Sequence, residues 1–167
     1  LNTPAHIISQ IHFVQKALPD LPPHKARYPG EKDTSRPRKL RAVINHKVLN
    51  SSVNLPTRFP QPTIPEVLRK LHSATVASCS DLRAAFYSIR MHPTVFPFLA
   101  FEYCNELLYF KAAPMGFILS SFALAAATQY MKLRHGLTQC DFIADDCLIY
   151  GDSAADYMAQ VEKFFKA

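Results

Sequence analysis

Apolar positions recur along this chain with two different periods, and the changes of period mark its elements. In residues 5–17, AHIISQIHFVQKA, the residues Ile8, Ile11, Phe13 and Val14 fall near helical spacing after a turn-like Asn-Thr-Pro start, which predicts a helix. A proline-rich loop follows from Leu18 to Gly30. Ten of the thirteen prolines lie in residues 1–65, so this region should be built from strands, turns and extended connections. The alternating, β-branched run within KLRAVINHKVLN predicts a strand over Leu40–Asn45. Another proline-studded stretch, LPTRFPQPT, leads into a helix near Ile64–Leu71, with Pro65 tolerated in its first turn.

The second half is more regular. ATVASCSDL reads as a strand ending at Asp81, and Ala84–Ile89 suits either a helical turn or an extended segment. FPFLAFEY and ELLYFKAA predict a hairpin around Asn105-Glu106. SSFALAAATQYMKLRHG is strongly helical, with Gly136 as its stop. DFIADDCLIYG predicts two very short strands with Ala144-Asp145-Asp146 at the turn. Ser153 caps a last amphipathic helix with Tyr157, Val161 and Phe164/Phe165 on its apolar side. The expected class is α+β, with antiparallel pairing towards the end.

Composition narrows the possibilities. The 167 residues suit one compact domain, and 49% apolar content argues against global disorder. The four cysteines are scattered without a C-x-x-C pair, which favours a reducing compartment. No basic-then-apolar leader opens the chain, and the tract from Phe117 to Ala127 is too short to cross a bilayer, so a soluble protein without a membrane partner is expected. The net charge of +6 is unevenly spread: residues 1–70 carry +8 and residues 71–167 carry −2. Eight basic residues and two acids lie between Lys25 and Lys47, a balance suited equally to a polyanion and to a solvated loop.

The candidate chemistry sits in the acids. Asp145 and Asp146 stand between apolar runs, where a buried carboxylate costs several kcal/mol unless compensated, and two neighbours also repel. Exposure at a hairpin tip is the ordinary solution. A divalent cation is the other, since Mg²⁺ binds through a few carboxylates plus substrate phosphates. Asp81 ends another apolar strand. If the two strand ends are neighbours, the acids converge, and two metal ions can bridge them to a triphosphate. The basic first part then supplies counter-charge.

These residues carry a resemblance. SDLRAAFYSI is similar to the first palm motif of reverse transcriptases, APMGFILSS to the second and FIADDCLIYG to the third, in the right order. Upstream, RAVINHKVLN resembles the fingers strand that runs into the palm. The likeness covers residues 32–167. DLRAAFYSIRMHPTVFPFLAF and PMGFILSSFALA look most like the protein-primed polymerases of hepadnavirus-type viruses, with retroviral and LTR-retrotransposon enzymes as near competitors.

The resemblance implies a right-hand polymerase fingers–palm, with an antiparallel palm sheet backed by helices. Fingers would occupy residues 1–55 and 93–119, and palm 56–92 and 120–167, with the thumb absent and primer-template held poorly. It implies an RNA-directed DNA polymerase that extends a primer on an RNA or DNA template from dNTPs. Two Mg²⁺ ions would serve, with Mn²⁺ as a substitute. Asp81 and Asp145 would be direct metal ligands, Asp146 the supporting acid, and the Leu82 carbonyl a further ligand. Arg41 matches the arginine that grips the triphosphate and Lys32 the loop lysine that reaches it, with Lys39 as its rival. Phe86 takes the position that blocks a ribonucleotide 2′-hydroxyl, although a core phenylalanine is its plain alternative. Met115 would line the nucleotide pocket, or else fill the core, and Gly116 would let backbone approach the nucleotide.

Two departures stand out. Met115 replaces the glutamine of many retroviral enzymes, and Ile143-Ala144 precedes the aspartates where an aromatic residue is usual. The implied setting is a longer polyprotein or polymerase, in the cytoplasm or within a viral or virus-like particle. The competing reading is a non-catalytic, palm-derived module for RNA binding or assembly.

Overall fold

The computed structural model describes residues 8–15, 30, 32–35, 40–54 and 61–166. Two β-sheets organise them. The first has the strand order β2-β1-β4-β5, where β1 is Ile8–Gln15, β2 Leu40–Asn45, β4 Ala100–Tyr103 and β5 Glu106–Tyr109. The second is antiparallel throughout, in the order β3-β7-β6, from β3 (Val76–Asp81), β6 (Cys140–Ile143) and β7 (Asp146–Gly151).

β1 overturns the helix expected over residues 5–17. It pairs antiparallel with β2 from Gln10↔Asn45 to Gln15↔Leu40, and parallel with β4 at Ile8↔Ala100 and Ser9↔Phe101. The spacing of Ile8, Ile11 and Val14 suits a helix face, but these β-branched side chains also suit a pleated surface. Pairing on both edges decides between them. β2 matches its expected bounds. The β4–β5 hairpin turns one residue earlier than expected, at Cys104 and Asn105, whose φ values of 51° and 62° are those of a tight two-residue hairpin turn.

Helices back the second sheet. α1 (Lys47–Ser51) follows β2 directly, and α2 (Ile64–Ser73) starts at Thr63, whose N–H donates to Glu66 Oε2 at 2.7 Å. Ala85–Ser88 resolves into a single helical turn, α3. A 3-10 segment, Pro93–Phe98, precedes β4. α4 (Ile118–His135) ends on Gly136 at φ 62°, as expected. α5 (Ala154–Phe165) starts from Ser153, whose Oγ accepts the Asp156 N–H at 3.1 Å.

The core of this half is Leu137, Cys140, Phe142, Cys147 and Ile149, covered by Tyr157, Val161 and Phe164 of α5. Phe165, expected on the same apolar side, is instead 81% exposed, because the helix turns its neighbour Phe164 inward. α5 and the sheet meet closely at Gly151, where a Cβ would stand 2.6 Å from the Tyr157 nitrogen and 2.8 Å from its Cα. Backbone cannot yield as a flexible side chain can. Gly151→Ala is therefore expected to destabilise the fold by about 2 kcal/mol, read as a lowered urea midpoint at unchanged slope.

Candidate active site

The two strand ends that carry the acids meet. β3 runs antiparallel to β7 in a register that ends with Asp81 opposite Asp146, and the Leu82 N–H donates to the Asp145 carbonyl at 2.7 Å. Three acids from two distant parts of the chain therefore share one sheet end. Directly opposed residues in such a ladder hold their Cβ atoms about 5 Å apart on one face, where like charges destabilise each other. Asp81 and Asp146 are exposed and Asp145 is half-buried. Asp146 belongs to β7 rather than to the turn, which is made by Ala144 and Asp145.

Local backbone explains the placement. Ala84 and Ala144 both adopt left-handed conformations, with φ 55° and 54°. Each flanks one acid-bearing strand end, and a non-glycine residue is uncommon in this region. Strained positions of this sort gather where surrounding structure holds a functional group in place. The Leu82 carbonyl accepts the Ala85 N–H at 3.3 Å, which leaves it a second lone pair. Among the described residues, no three Asp, Glu, His or Cys side chains form a ready metal cage. Mg²⁺ does not need such a cage, being held through one or two carboxylates plus substrate phosphates rather than by an all-protein shell. An oxygen-only set of Asp81, Asp145, Asp146 and the Leu82 carbonyl fits such an ion.

The second sheet is braced from within by Asp141, which stands opposite Leu148 in the ladder, inward of the acid-bearing end. It lies in β6 and is 1% exposed. Lys132 of α4 reaches Oδ1 at 2.7 Å, Lys70 of α2 reaches Oδ2 at 2.8 Å, and the Tyr150 hydroxyl donates to Oδ2 at 3.1 Å. Burial pushes the Asp141 carboxyl up, but hydrogen bonds from Lys132 and Lys70 outweigh it and leave the group below its ordinary value. Burial, with the Asp141 charge and hydrogen bond, pushes the Tyr150 hydroxyl up. The sequence signal was there: a carboxylate between Cys140 and Phe142 in a buried strand needs partners.

A second feature involves the motif residues Met115 and Gly116. A cleft of about 380 Å³ is bordered by Ala42 and Ile44 of β2, Tyr87, Phe110, Met115 and Gly116. Met115 is 47% exposed. Gly116 has φ 87°, and a Cβ there would lie 3.6 Å from the Ile44 carbonyl and 3.9 Å from the His46 ring. The backbone thus passes close over the β2–α1 segment at a glycine-type conformation. Phe86 is half-buried in α3 and does not border this cleft, whereas its neighbour Tyr87 does. Arg41 sits in β2 opposite Val14. Lys32 is exposed, and Lys39 lies outside the described residues.

Comparison with known proteins follows the same lines. A family model described as "Reverse transcriptase (RNA-dependent DNA polymerase)" matches residues 28–167. The Retrovirus-related Pol polyprotein from transposon 297 of Drosophila melanogaster is 26% identical over 138 residues, 82% of this chain and 13% of that protein. The Transposon Tf2-3 polyprotein of Schizosaccharomyces pombe is 27% identical over 126 residues, 74% of this chain and 9% of its own length. Among solved structures, the foamy viral protease–reverse transcriptase in complex with RNA/DNA hybrid superposes with a TM-score of 0.70 at 16% identity, covering 99% of this chain and 19% of that one. The native prototype foamy virus enzyme gives 0.69 at 17% identity, covering 98% and 19%. At such identities the structures establish a shared fold, the fingers–palm arrangement expected from the motifs. These relatives are retroelement and foamy-virus proteins, the group the motifs placed as near competitors of the hepadnavirus type. The chain spans a small fraction of each.

Proposed function

Since the chain belongs to the reverse transcriptase family, we propose that it is the fingers–palm core of an RNA-directed DNA polymerase, extending a primer from dNTPs. Fingers occupy residues 1–55 and 93–119, and palm 56–92 and 120–167. The observation that carries the reading is the register placing Asp81 opposite Asp146, with Asp145 tied to Leu82. Two Mg²⁺ ions, or Mn²⁺ in their place, would neutralise the phosphates and lower the pKa of the attacking primer hydroxyl.

The chain's own residues do the positioning. Asp81 and Asp145 would hold the cations, with Asp146 and the Leu82 carbonyl in support. Arg41 and Lys32 bind the triphosphate, the arginine through its forked guanidinium. Met115 and Gly116 present one wall of the cleft to the nucleotide. The template supplies sequence by base pairing, so duplex is held mainly through its backbone. One foamy-virus neighbour was captured with RNA/DNA hybrid and another with double-stranded DNA, which supports a primer-template partner here. The polyprotein relatives support a place within a longer polypeptide, in the cytoplasm or a virus-like particle.

The test is primer extension on an RNA template with Mg²⁺ and dNTPs, using the chain within its whole reading frame. Template-directed incorporation that chelation abolishes is expected. Duplex binding with no incorporation would favour a non-catalytic RNA-binding or assembly module. Sugar selection gives a second readout. Phe86→Ala should relax discrimination against ribonucleotides by roughly 10- to 100-fold, measured as the ratio of kcat/KM for dNTP and NTP. If Tyr87→Ala relaxes it and Phe86→Ala does not, the gate is the ring that borders the cleft.

A further inference from the structure

The loop forming one wall of the cleft is held by the last residue of the RAVINHKVLN segment. Asn50, at the end of α1, grips it with both ends of its carboxamide. Nδ2 donates to the Gly116 carbonyl at 2.9 Å, and Oδ1 accepts the Ile118 N–H at 3.0 Å. These bonds span 66 and 68 residues of chain. They satisfy one carbonyl inside the 115–116 turn and one N–H in the first turn of α4, where helical donors otherwise lack partners.

The rest of this junction is apolar or neutral. The His46 ring packs 6.0 Å from Phe117 and 6.2 Å from Phe110, while burial lowers its pKa. Ser9 Oγ lies 3.1 Å from His46 Nδ1. Packing therefore fixes Phe117 beneath the loop, but nothing apolar fixes the direction of the Gly116 carbonyl. A glycine at φ 87° is free to rotate its peptide planes. Asn50 supplies that constraint.

We infer that Asn50 is a positioning residue for the nucleotide pocket. By locking the Gly116 carbonyl and the Ile118 amide, it fixes how Met115 and Gly116 face an incoming dNTP. The role acts through the loop and not on the reacting atoms, so it belongs to nucleotide binding rather than to the chemical step. It rests on the polymerase reading for its consequence, while the clamp itself can be measured without substrate.

Two measurements on the chain within its whole reading frame decide it. In Asn50→Ala, amide hydrogen exchange at Ile118 should accelerate about tenfold while β3, β6 and β7 keep their protection. KM for dNTP should rise about tenfold with kcat within about twofold. Asn50→Asp keeps an acceptor for the Ile118 N–H but loses the donor to Gly116. It should restore slow exchange at Ile118 while KM stays raised. Unchanged Ile118 exchange in Asn50→Ala overturns the clamp, and faster exchange with an unchanged KM overturns its role in binding. A fall in kcat that merely tracks lost thermal stability in both variants also overturns it, because that is what a purely structural side chain would give. Absence of incorporation by the unsubstituted protein would refute the polymerase reading instead, with Ile118 exchange still deciding whether Asn50 holds the loop.

Discussion

Asp145→Asn is expected to lower template-directed incorporation at least about 1,000-fold, equivalent to roughly 4 kcal/mol of transition-state stabilisation. Asparagine preserves the shape of the side chain and the backbone bond from Leu82 N–H to the residue 145 carbonyl. The strand register should therefore survive, and what is lost is one negative charge, with an amide nitrogen in place of one carboxylate oxygen. Binding of primer-template should change less than threefold or so, since duplex affinity comes from basic contacts to phosphates. Thermal stability should hold or rise slightly, because removing one of three clustered acids relieves like-charge repulsion. Single-turnover incorporation, duplex binding and thermal unfolding on the same preparation check all three. Incorporation that persists in the variant would contradict the catalytic assignment.

Asp141→Asn should instead act on folding, destabilising by about 3 kcal/mol, a drop of roughly 10 °C in Tm. Asparagine fits the space but leaves the Lys132 ammonium, whose side chain is 18% exposed, without its counter-charge. Lys70 is 43% exposed and contributes less, since water can replace the acid there. The pH dependence has a definite sign. The folded-state pKa of Asp141 is below the ordinary 3.8. Its stabilisation is therefore complete above that value and fades as pH falls through the lower, folded-state one. Denaturation of the two proteins at a series of pH values should show a full stability gap at pH 7 that closes below about pH 4. A gap that stays constant into acid would mean that the carboxylate charge is not what holds Lys132.

Much of this was legible in the residues, and the exceptions have physical causes. β2, α2, α4 and α5 follow local period and capping, whereas Ala84–Ile89 suited a helical turn and an extended run alike, and the acids converge because the strands that carry them pair in one sheet. β1 was misread because its three-residue spacing satisfies both periods. Its identity comes from partners 25 to 35 residues away in β2 and 92 residues away in β4. Asn50 was invisible for a related reason. Its neighbours in sequence say only that a strand has ended, and its bonds go to a loop far along the chain. Left-handed alanines at 84 and 144 carry no composition signal either, since glycine is the residue that normally advertises such a turn. Short-range patterns encode elements, whereas clamps between elements depend on the packed fold.

The bracing of the second sheet also bears on how salt should affect substrate capture. Two ammonium groups that a residue count would credit to polyanion attraction, those of Lys70 and Lys132, are occupied inside the protein by a single acid. Neither should release a counterion when duplex arrives. Neutralising Lys70 should therefore leave the slope of log K against log salt almost unchanged, whereas each lysine that truly meets a phosphate contributes about 0.9 to it.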